Sequence, residues 1–177
     1  MISESDLQHL RAAIRDVPDF PKPGIIFKDI TPVLADPKLF QIAVDGFADA
    51  TKAIGAEKVV GIDARGFLFG AAVAYRLGLG FVPVRKKGKL PWHTERAEYA
   101  LEYGEAIVEM HTDALRKGEK VVLIDDLLAT GGTAAAAIKL VEKMGAQLLE
   151  AQFLIELDFL HGRQNLPAER VRAFLHF

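Results

Sequence analysis

The sequence predicts an α/β fold with a mostly parallel sheet flanked by helices, and three observations support this. Short apolar runs at residues 59–63, 81–84 and 120–126 have the length and composition of buried strands. Ala-rich segments with helical character follow the first and last of these runs and end at Gly78 and Gly145. Strands that alternate with helices favour a parallel sheet. Half of the 177 residues are hydrophobic, which suits one domain with a substantial core.

The first part of the chain is predicted to be a helix followed by a shaped loop. Leu7, Leu10 and Ile14 recur at helical spacing, which predicts a helix over residues 5–16. A group of prolines then interrupts regular structure. Helical periodicity resumes over residues 37–54.

The second half contains a long polar segment between strands. Residues 85–98 are basic and then polar, with little hydrophobic period, so we expect a long loop, and such loops are usually functional or mobile. Residues 105–111 alternate as a strand would, and residues 148–157 are predicted to be a further strand. A C-terminal element completes the chain.

Composition excludes several classes of protein. The formal net charge of −2 argues against a general nucleic-acid binder, and no apolar run approaches the ~18 residues of a membrane span. The absence of cysteine excludes disulfides and thiol catalysis. We therefore expect a soluble protein of the cytoplasm with no membrane or nucleic-acid partner.

The strongest candidate site is the stretch VVLIDDLLATGGT at residues 121–133. It places Asp125 and Asp126 at the end of a buried strand, before a Thr-Gly-Gly-Thr turn and a helix. Ligands of open α/β sheets bind beyond the carboxyl ends of strands, and a helix N-terminus with flexible glycines suits a phosphate. The two acids would repel a phosphate but match paired ribose hydroxyls. The stretch therefore predicts a ribose-phosphate site, the alternative being a plain strand–turn–helix connection with an Asp cap.

This pattern of four apolar residues, two acids and Thr-Gly-Gly-Thr resembles the signature of type I phosphoribosyltransferases, which bind 5-phosphoribosyl-1-diphosphate (PRPP). Further segments resemble the adenine phosphoribosyltransferase family over nearly the whole chain. These segments are FPKPGIIFKDITPVL (20–34), DARGFLFG (63–70), RKKGKLP (85–91), ALEYG (100–104) and LDFLHGR (157–163).

The resemblance implies a type I phosphoribosyltransferase fold in one domain, 1–177. Residues 1–34 would supply a helix and a hood over the base, and residues 35–177 a core with a mobile loop at about 85–100. It also implies a homodimer, with part of the basic cluster across the dimer interface.

The implied activity joins adenine N9 to the phosphoribosyl group of PRPP, giving AMP and diphosphate in purine salvage. Mg²⁺ would be held mainly through PRPP rather than by a protein metal site. PRPP ribose and 5-phosphate would be bound by Asp125, Asp126, Ala129, Thr130, Gly131, Gly132 and Thr133.

Adenine and diphosphate sites follow from the same resemblance. Adenine would contact Ile26, Phe27, Lys28, Leu127 and Leu157, although Phe27 and the leucines read from sequence alone as ordinary core. Diphosphate would contact Arg65, Arg85, Lys86 and Lys89, the last three of which also fit a solvated surface loop. Glu102 and Arg65 are the implied catalytic residues.

Two other functions remain open from the sequence. A phosphoribosyltransferase for a 6-oxopurine would need a donor toward O6, which the adenine-type hood argues against. A regulator that senses PRPP without turnover would need an effector module, and only about 20 residues precede the hood.

Overall fold

The computed structural model describes residues 2–100 and 105–177. Its helices, in chain order, are α1 (Glu4–Ala13), α2 (Thr31–Ala35), α3 (Pro37–Ile54), α4 (Arg65–Leu77) and α5 (Gly132–Lys143). Its strands are β1 (Arg15–Pro18), β2 (Ile26–Asp29), β3 (Lys58–Ile62), β4 (Gly80–Lys86), β5 (Thr94–Ala100), β6 (Glu105–His111), β7 (Lys120–Leu128), β8 (Gln147–Glu156) and β9 (Val171–His176). Short 3-10 helices lie between β8 and β9.

Seven strands form the main sheet in the order β5-β6-β4-β3-β7-β8-β9. The run from β4 to β9 is parallel, and an antiparallel hairpin of β5 and β6 extends it beside β4. The sheet is therefore mostly parallel and flanked by helices, as predicted.

Both faces of the sheet are buried, which explains why its central strands are continuous apolar runs. Along β7, Val121 and Leu123 pack on the face that α5 covers, whereas Val122 and Ile124 pack on the face that α1 to α4 cover. All four side chains are fully buried. The register places the carboxyl ends of β3, β4 and β7 at one edge, where parallel α/β folds bind ligands.

The N-terminal helix is shorter than the sequence predicts. α1 ends at Ala13, and Arg15–Pro18 instead pairs antiparallel with Ile26–Asp29 in a two-stranded sheet. Pairing with a distant segment thus overrides the local helical spacing at the end of the predicted 5–16 helix. The hairpin of β1 and β2 occupies the segment predicted to be the hood.

The prediction of a loop over residues 85–98 was wrong at both ends, because Arg85 and Lys86 belong to β4 and only residues 87–93 lie between strands. Thr94–Ala100 is a strand that pairs along its whole length with Glu105–His111. Ala97 and Tyr99 pack against the core beside α5, while the alternate residues Arg96 and Glu98 are exposed charges of the kind that protect a sheet edge. The mobility of this segment stays a prediction.

No helix within residues 2–100 and 105–177 combines the length and the apolar character that crossing a bilayer requires.

Candidate active site

A cavity of about 420 Å³ opens at the carboxyl ends of the central strands, where β7 leads into α5. The predicted ribose-phosphate stretch forms one side of it, and Arg65 at the start of α4 and Lys86 at the end of β4 also line it. Its lining residues include Asp63, Ala64, Arg65, Lys86, Tyr99, Asp125, Asp126, Leu127, Ala129, Thr130, Gly131, Gly132 and Thr133.

Asp125 and Asp126 sit at this cavity largely removed from solvent, Asp126 buried and Asp125 partly buried. Asp126 is only 3% exposed, and its backbone N–H donates to Asp125 Oδ1 at 2.9 Å. Burial, reinforced by the neighbouring carboxyl of Asp126, raises the pKa of Asp125 well above its usual value. Burial also raises the pKa of Asp126, although Arg65 opposes the change. Hydroxyl groups of a bound polyol would donate to these carboxylate oxygens and replace the water that burial removes, so the pair is suited to such a ligand.

A glycine at the start of α4 allows this packing around Asp125. A Cβ on Gly66 would lie 2.6 Å from Asp125 Oδ1 and 2.9 Å from the Ile124 carbonyl oxygen. Any larger residue would therefore push α4 away from the end of β7, which explains the glycine of the DARG stretch.

The Thr-Gly-Gly-Thr turn forms the N-terminus of α5. Gly131 caps the helix with a φ of +82°, and its carbonyl accepts from the Ala135 N–H at 2.8 Å. The first N–H groups of a helix lack intrahelical partners, and here they lie beside the cavity. The loop from Ala129 to Thr133 can thus offer backbone N–H donors, a partial positive charge and two hydroxyls to an anion.

Arg65 links the acids to the hood. Its Nε lies 2.7 Å from Asp126 Oδ2, and its guanidinium carbon lies 5.1 Å from the centre of the Phe27 ring. The side chain is 38% exposed, so the guanidinium remains within reach of a ligand in the cavity. Arg65 therefore stands where a diphosphate, the ribose site and the predicted base site would meet.

The residues of the predicted basic cluster lie in two places, at the cavity and around the turn that follows β4. Lys86 lines the cavity, whereas Arg85 and Lys89 do not. Arg85 instead pairs with Asp63, at 2.9 Å from Nε to Oδ2, and donates to the Lys89 carbonyl at 3.1 Å. Buried Glu109 holds the turn by accepting from the Gly88 N–H at 2.9 Å.

Of the predicted adenine residues, Leu127 alone lines the cavity. Phe27 does not line the cavity, but its ring lies under the guanidinium of Arg65, which does. The Phe27 ring also packs edge-on against Phe20, with ring centres 5.2 Å apart. Ile26 is 56% exposed on the hood, and Leu157 is buried beside β7, its N–H donating to the Leu128 carbonyl at 3.0 Å.

Two polar residues of the cavity were missed from the sequence, and one prediction lies outside the described residues. Tyr99 and Asp63 line the cavity. The alternation around Tyr99 could have indicated its strand, and Asp63 is the first residue of the DARGFLFG stretch, in which only Arg65 was given a role. Glu102 belongs to residues 101–104, outside the part of the chain that the structure describes.

Comparison with known proteins defines the class of protein. Residues 38–166 match the family described as "Phosphoribosyl transferase domain". That span covers six of the seven strands of the main sheet, β3 to β8, together with the cavity and the Thr-Gly-Gly-Thr turn. The chain therefore belongs to the phosphoribosyltransferase family.

Its relatives within that family share one name. The adenine phosphoribosyltransferase of Anaeromyxobacter dehalogenans is 55% identical over 95% of this chain and 98% of its own. The crystal structure of the Rhodothermus marinus adenine phosphoribosyltransferase superposes with a TM-score of 0.93 at 49% identity, over 99% of this chain and 100% of that one. The Saccharomyces cerevisiae enzyme, complexed with an imino-altritol bisphosphate and adenine, gives a TM-score of 0.93 at 45% identity, over 98% and 100%. Within the family, this chain belongs with the adenine phosphoribosyltransferases.

Proposed function

We propose that this chain transfers the 5-phosphoribosyl group of PRPP to N9 of adenine, giving AMP and diphosphate in purine salvage. The bond from C1 of the ribose to the diphosphate oxygen breaks, and the bond from C1 to N9 forms. Diphosphate leaves with the electron pair, and adenine gives up its N9 proton. The activity is that of a pentosyltransferase. One observation carries the proposal, namely that the acids, the helix-N-terminal loop and Arg65 line a single cavity.

The ribose 5-phosphate part of PRPP occupies the β7–α5 side of this cavity. Asp125 and Asp126 accept hydrogen bonds from the two ribose hydroxyls, and the loop Ala129–Thr133 receives the 5-phosphate. Charge-assisted hydrogen bonds of this kind contribute about 1.5–3 kcal/mol each. They fix the position of C1 relative to the base, which lowers the entropic cost of reaction.

The departing diphosphate is bound by cations on the other side. Arg65 and Lys86 face the cavity directly. Arg85 near the end of β4 and Lys89 in the turn after it also bind the diphosphate. In the proposed homodimer, this turn lies near the interface between the subunits. Arginine suits the task because its planar fork binds two phosphate oxygens at once.

Mg²⁺ would be held mainly by oxygens of PRPP, and the carboxylates of Asp125 and Asp126 would contact it indirectly. Hard oxygen donors at this position fit a magnesium ion that keeps several waters. When bound, it supplies positive charge that stabilises the leaving diphosphate.

Adenine lies under the hood, against Phe27 and the apolar side chains of Leu127 and Leu157. The Ile26 carbonyl accepts from the adenine amino group, and the Lys28 N–H donates to a ring nitrogen. Pro18, which pairs with Ile26 in the hairpin, has no N–H to donate to this carbonyl. An acceptor directed at the base favours an amino group over the carbonyl oxygen of a 6-oxopurine.

Glu102 completes the proposed site from the segment that follows β5. Tyr99, three residues earlier on β5, already lines the cavity, so this strand leads toward the reacting groups. A carboxylate there would relay the purine proton or stabilise positive charge on the ribose.

The remaining parts of the proposal concern the setting of the enzyme. We propose a homodimer in the cytoplasm, with residues 1–177 as one domain and no nucleic-acid or membrane partner.

Adenine is expected to be the preferred base by a wide margin. A site built to hydrogen-bond one edge of a base rejects a base that leaves its buried groups unpaired, often by 10⁴-fold or more. The measurement is the initial rate of nucleotide formation with PRPP and Mg²⁺ for adenine, hypoxanthine, guanine and xanthine. A preference for an oxopurine would mean that the substrate is a 6-oxopurine and not adenine. Binding of PRPP without any product would favour the regulator.

A further inference from the structure

A second segment of the chain braces the back of the phosphate loop. This segment, here called the strap, is residues 157–166, which connect β8 toward β9 through short 3-10 helices. The sequence analysis noted its LDFLHGR stretch only as a family resemblance, with Leu157 as a base contact. In the structure, its contacts with residues 129–131 are made by backbone and by one amide side chain.

The strap and the loop touch backbone to backbone. A Cβ added to Gly162 would lie 2.0 Å from the Ala129 carbonyl oxygen and 3.1 Å from the Gly131 nitrogen. A Cβ added to Gly131 would in turn lie 2.5 Å from the Gly162 carbonyl oxygen. Two glycines therefore face each other because neither position has room for a side chain.

Asn165 adds a directed hydrogen bond to this contact. Its Nδ2 donates to the Thr130 carbonyl oxygen at 2.8 Å. The C=O and N–H of a trans peptide point in opposite directions in one plane. A donor that holds the Thr130 carbonyl consequently fixes the direction of the Gly131 N–H, one of the donors that the loop offers to an anion.

The strap is itself fastened to the sheet at both ends. Arg163 forms an ion pair with buried Glu156 at the end of β8, with 3.1 Å from Nε to Oε1, and donates to the Val171 carbonyl at 2.7 Å. Asp158 contacts His176 of β9, with 2.9 Å between Oδ1 and Nδ1. A rigid mount of this kind lets a single amide hold the loop in place.

We propose that Asn165 is a positioning residue for the 5-phosphate, acting through the Thr130–Gly131 peptide, with Gly162 setting the distance between strap and loop. The inference rests on the proposed function, since it takes the phosphate of PRPP and AMP to bind at residues 129–133. It predicts that the strap tunes affinity for the phosphate of the ligand while leaving affinity for the base unchanged.

The test compares AMP with adenosine, which lacks the phosphate. In Asn165→Ala, the dissociation constant for AMP should rise about three- to tenfold, the range expected for loss of one neutral hydrogen bond. The dissociation constant for adenosine and the Michaelis constant for adenine should both stay unchanged. The Michaelis constant for PRPP should rise, as the dissociation constant for AMP does. Gln164→Ala is the matched control, because Gln164 is an exposed amide in the same strap with no side-chain hydrogen bond among the described residues.

Gly162→Ala provides a stronger perturbation of the same contact. The added methyl group meets backbone of Ala129 rather than a movable side chain, so the loop must shift and the loss of AMP affinity should exceed that of Asn165→Ala. Equal loss of AMP and adenosine affinity in folded Asn165→Ala, or no loss of either, would overturn the inference. If the unmodified chain formed no AMP, the proposed function itself would fail, and the two failures are thereby distinguished.

Discussion

The double variant Asp125→Asn, Asp126→Asn is expected to lose catalytic efficiency with PRPP by on the order of 10²-fold or more. Each carboxylate is proposed to accept a charge-assisted hydrogen bond worth about 1.5–3 kcal/mol, and each 1.4 kcal/mol corresponds to tenfold. Asparagine keeps the shape and one acceptor oxygen but removes the charge. The measurement is kcat/KM for PRPP at saturating adenine, with Asp113→Asn, an exposed acid after β6, as the control. Normal PRPP kinetics in the double variant would remove these acids from the site.

A thermal melt of the single variant Asp125→Asn shows whether a loss of activity comes from weaker binding or from unfolding. Because the pKa of Asp125 is raised in the folded protein, its ionised form costs folding stability at neutral pH. Asp125→Asn removes that cost, so its thermal midpoint should rise at pH 7, by about 2–4 °C for each kcal/mol recovered. As the pH falls through the raised pKa, Asp125 takes up a proton in the folded state, and the advantage of the variant should shrink. A lower midpoint at pH 7 would mean that the carboxylate stabilises the fold.

Glu102→Gln is expected to lower the rate of AMP formation in a single turnover by ~10²–10⁴-fold, the usual contribution of general acid–base assistance. The swap preserves shape but removes the charge and the proton acceptor. A carboxylate that acts as charge develops affects the transition state more than the ground state, so adenine affinity should change little. Single-turnover measurement with enzyme in excess avoids masking by product release.

The control for Glu102 comes from the same part of the chain. Glu98 lies on β5 with an exposed side chain, and Glu98→Gln should leave the single-turnover rate unchanged. Should Glu102→Gln weaken adenine binding while the single-turnover rate stays normal, Glu102 would be a binding residue rather than a catalytic one.

The parts of the fold that were predicted correctly are those whose signal is local and strong. The run from Val121 to Ile124 is buried on both faces, and a strand with two buried faces has an unbroken apolar sequence. The turn at Gly131 and the end of α4 at Gly78 were visible because glycine marks helix boundaries. The role of Asp125 and Asp126 as site residues was predicted from their position at the end of that strand.

The parts that were missed depend on partners distant in sequence. β5 is a mixed polar edge strand whose backbone bonds come from β6, so its own residues carry little apolar period. Pairing with β2 removes Arg15 and Asp16 from the predicted first helix. The contact between Gly162 and Ala129 joins segments about 30 residues apart, and a glycine required by such a contact looks in sequence like any loop glycine.

A crystal structure of this chain with AMP bound tests the central claim most directly. The 5-phosphate should lie within hydrogen-bonding distance of the backbone N–H groups of residues 130–133, with the ribose hydroxyls on Asp125 and Asp126 and the adenine amino group on the Ile26 carbonyl. A phosphate bound instead by the basic turn after β4, with Asp125 and Asp126 free of the ribose, would contradict the proposed site.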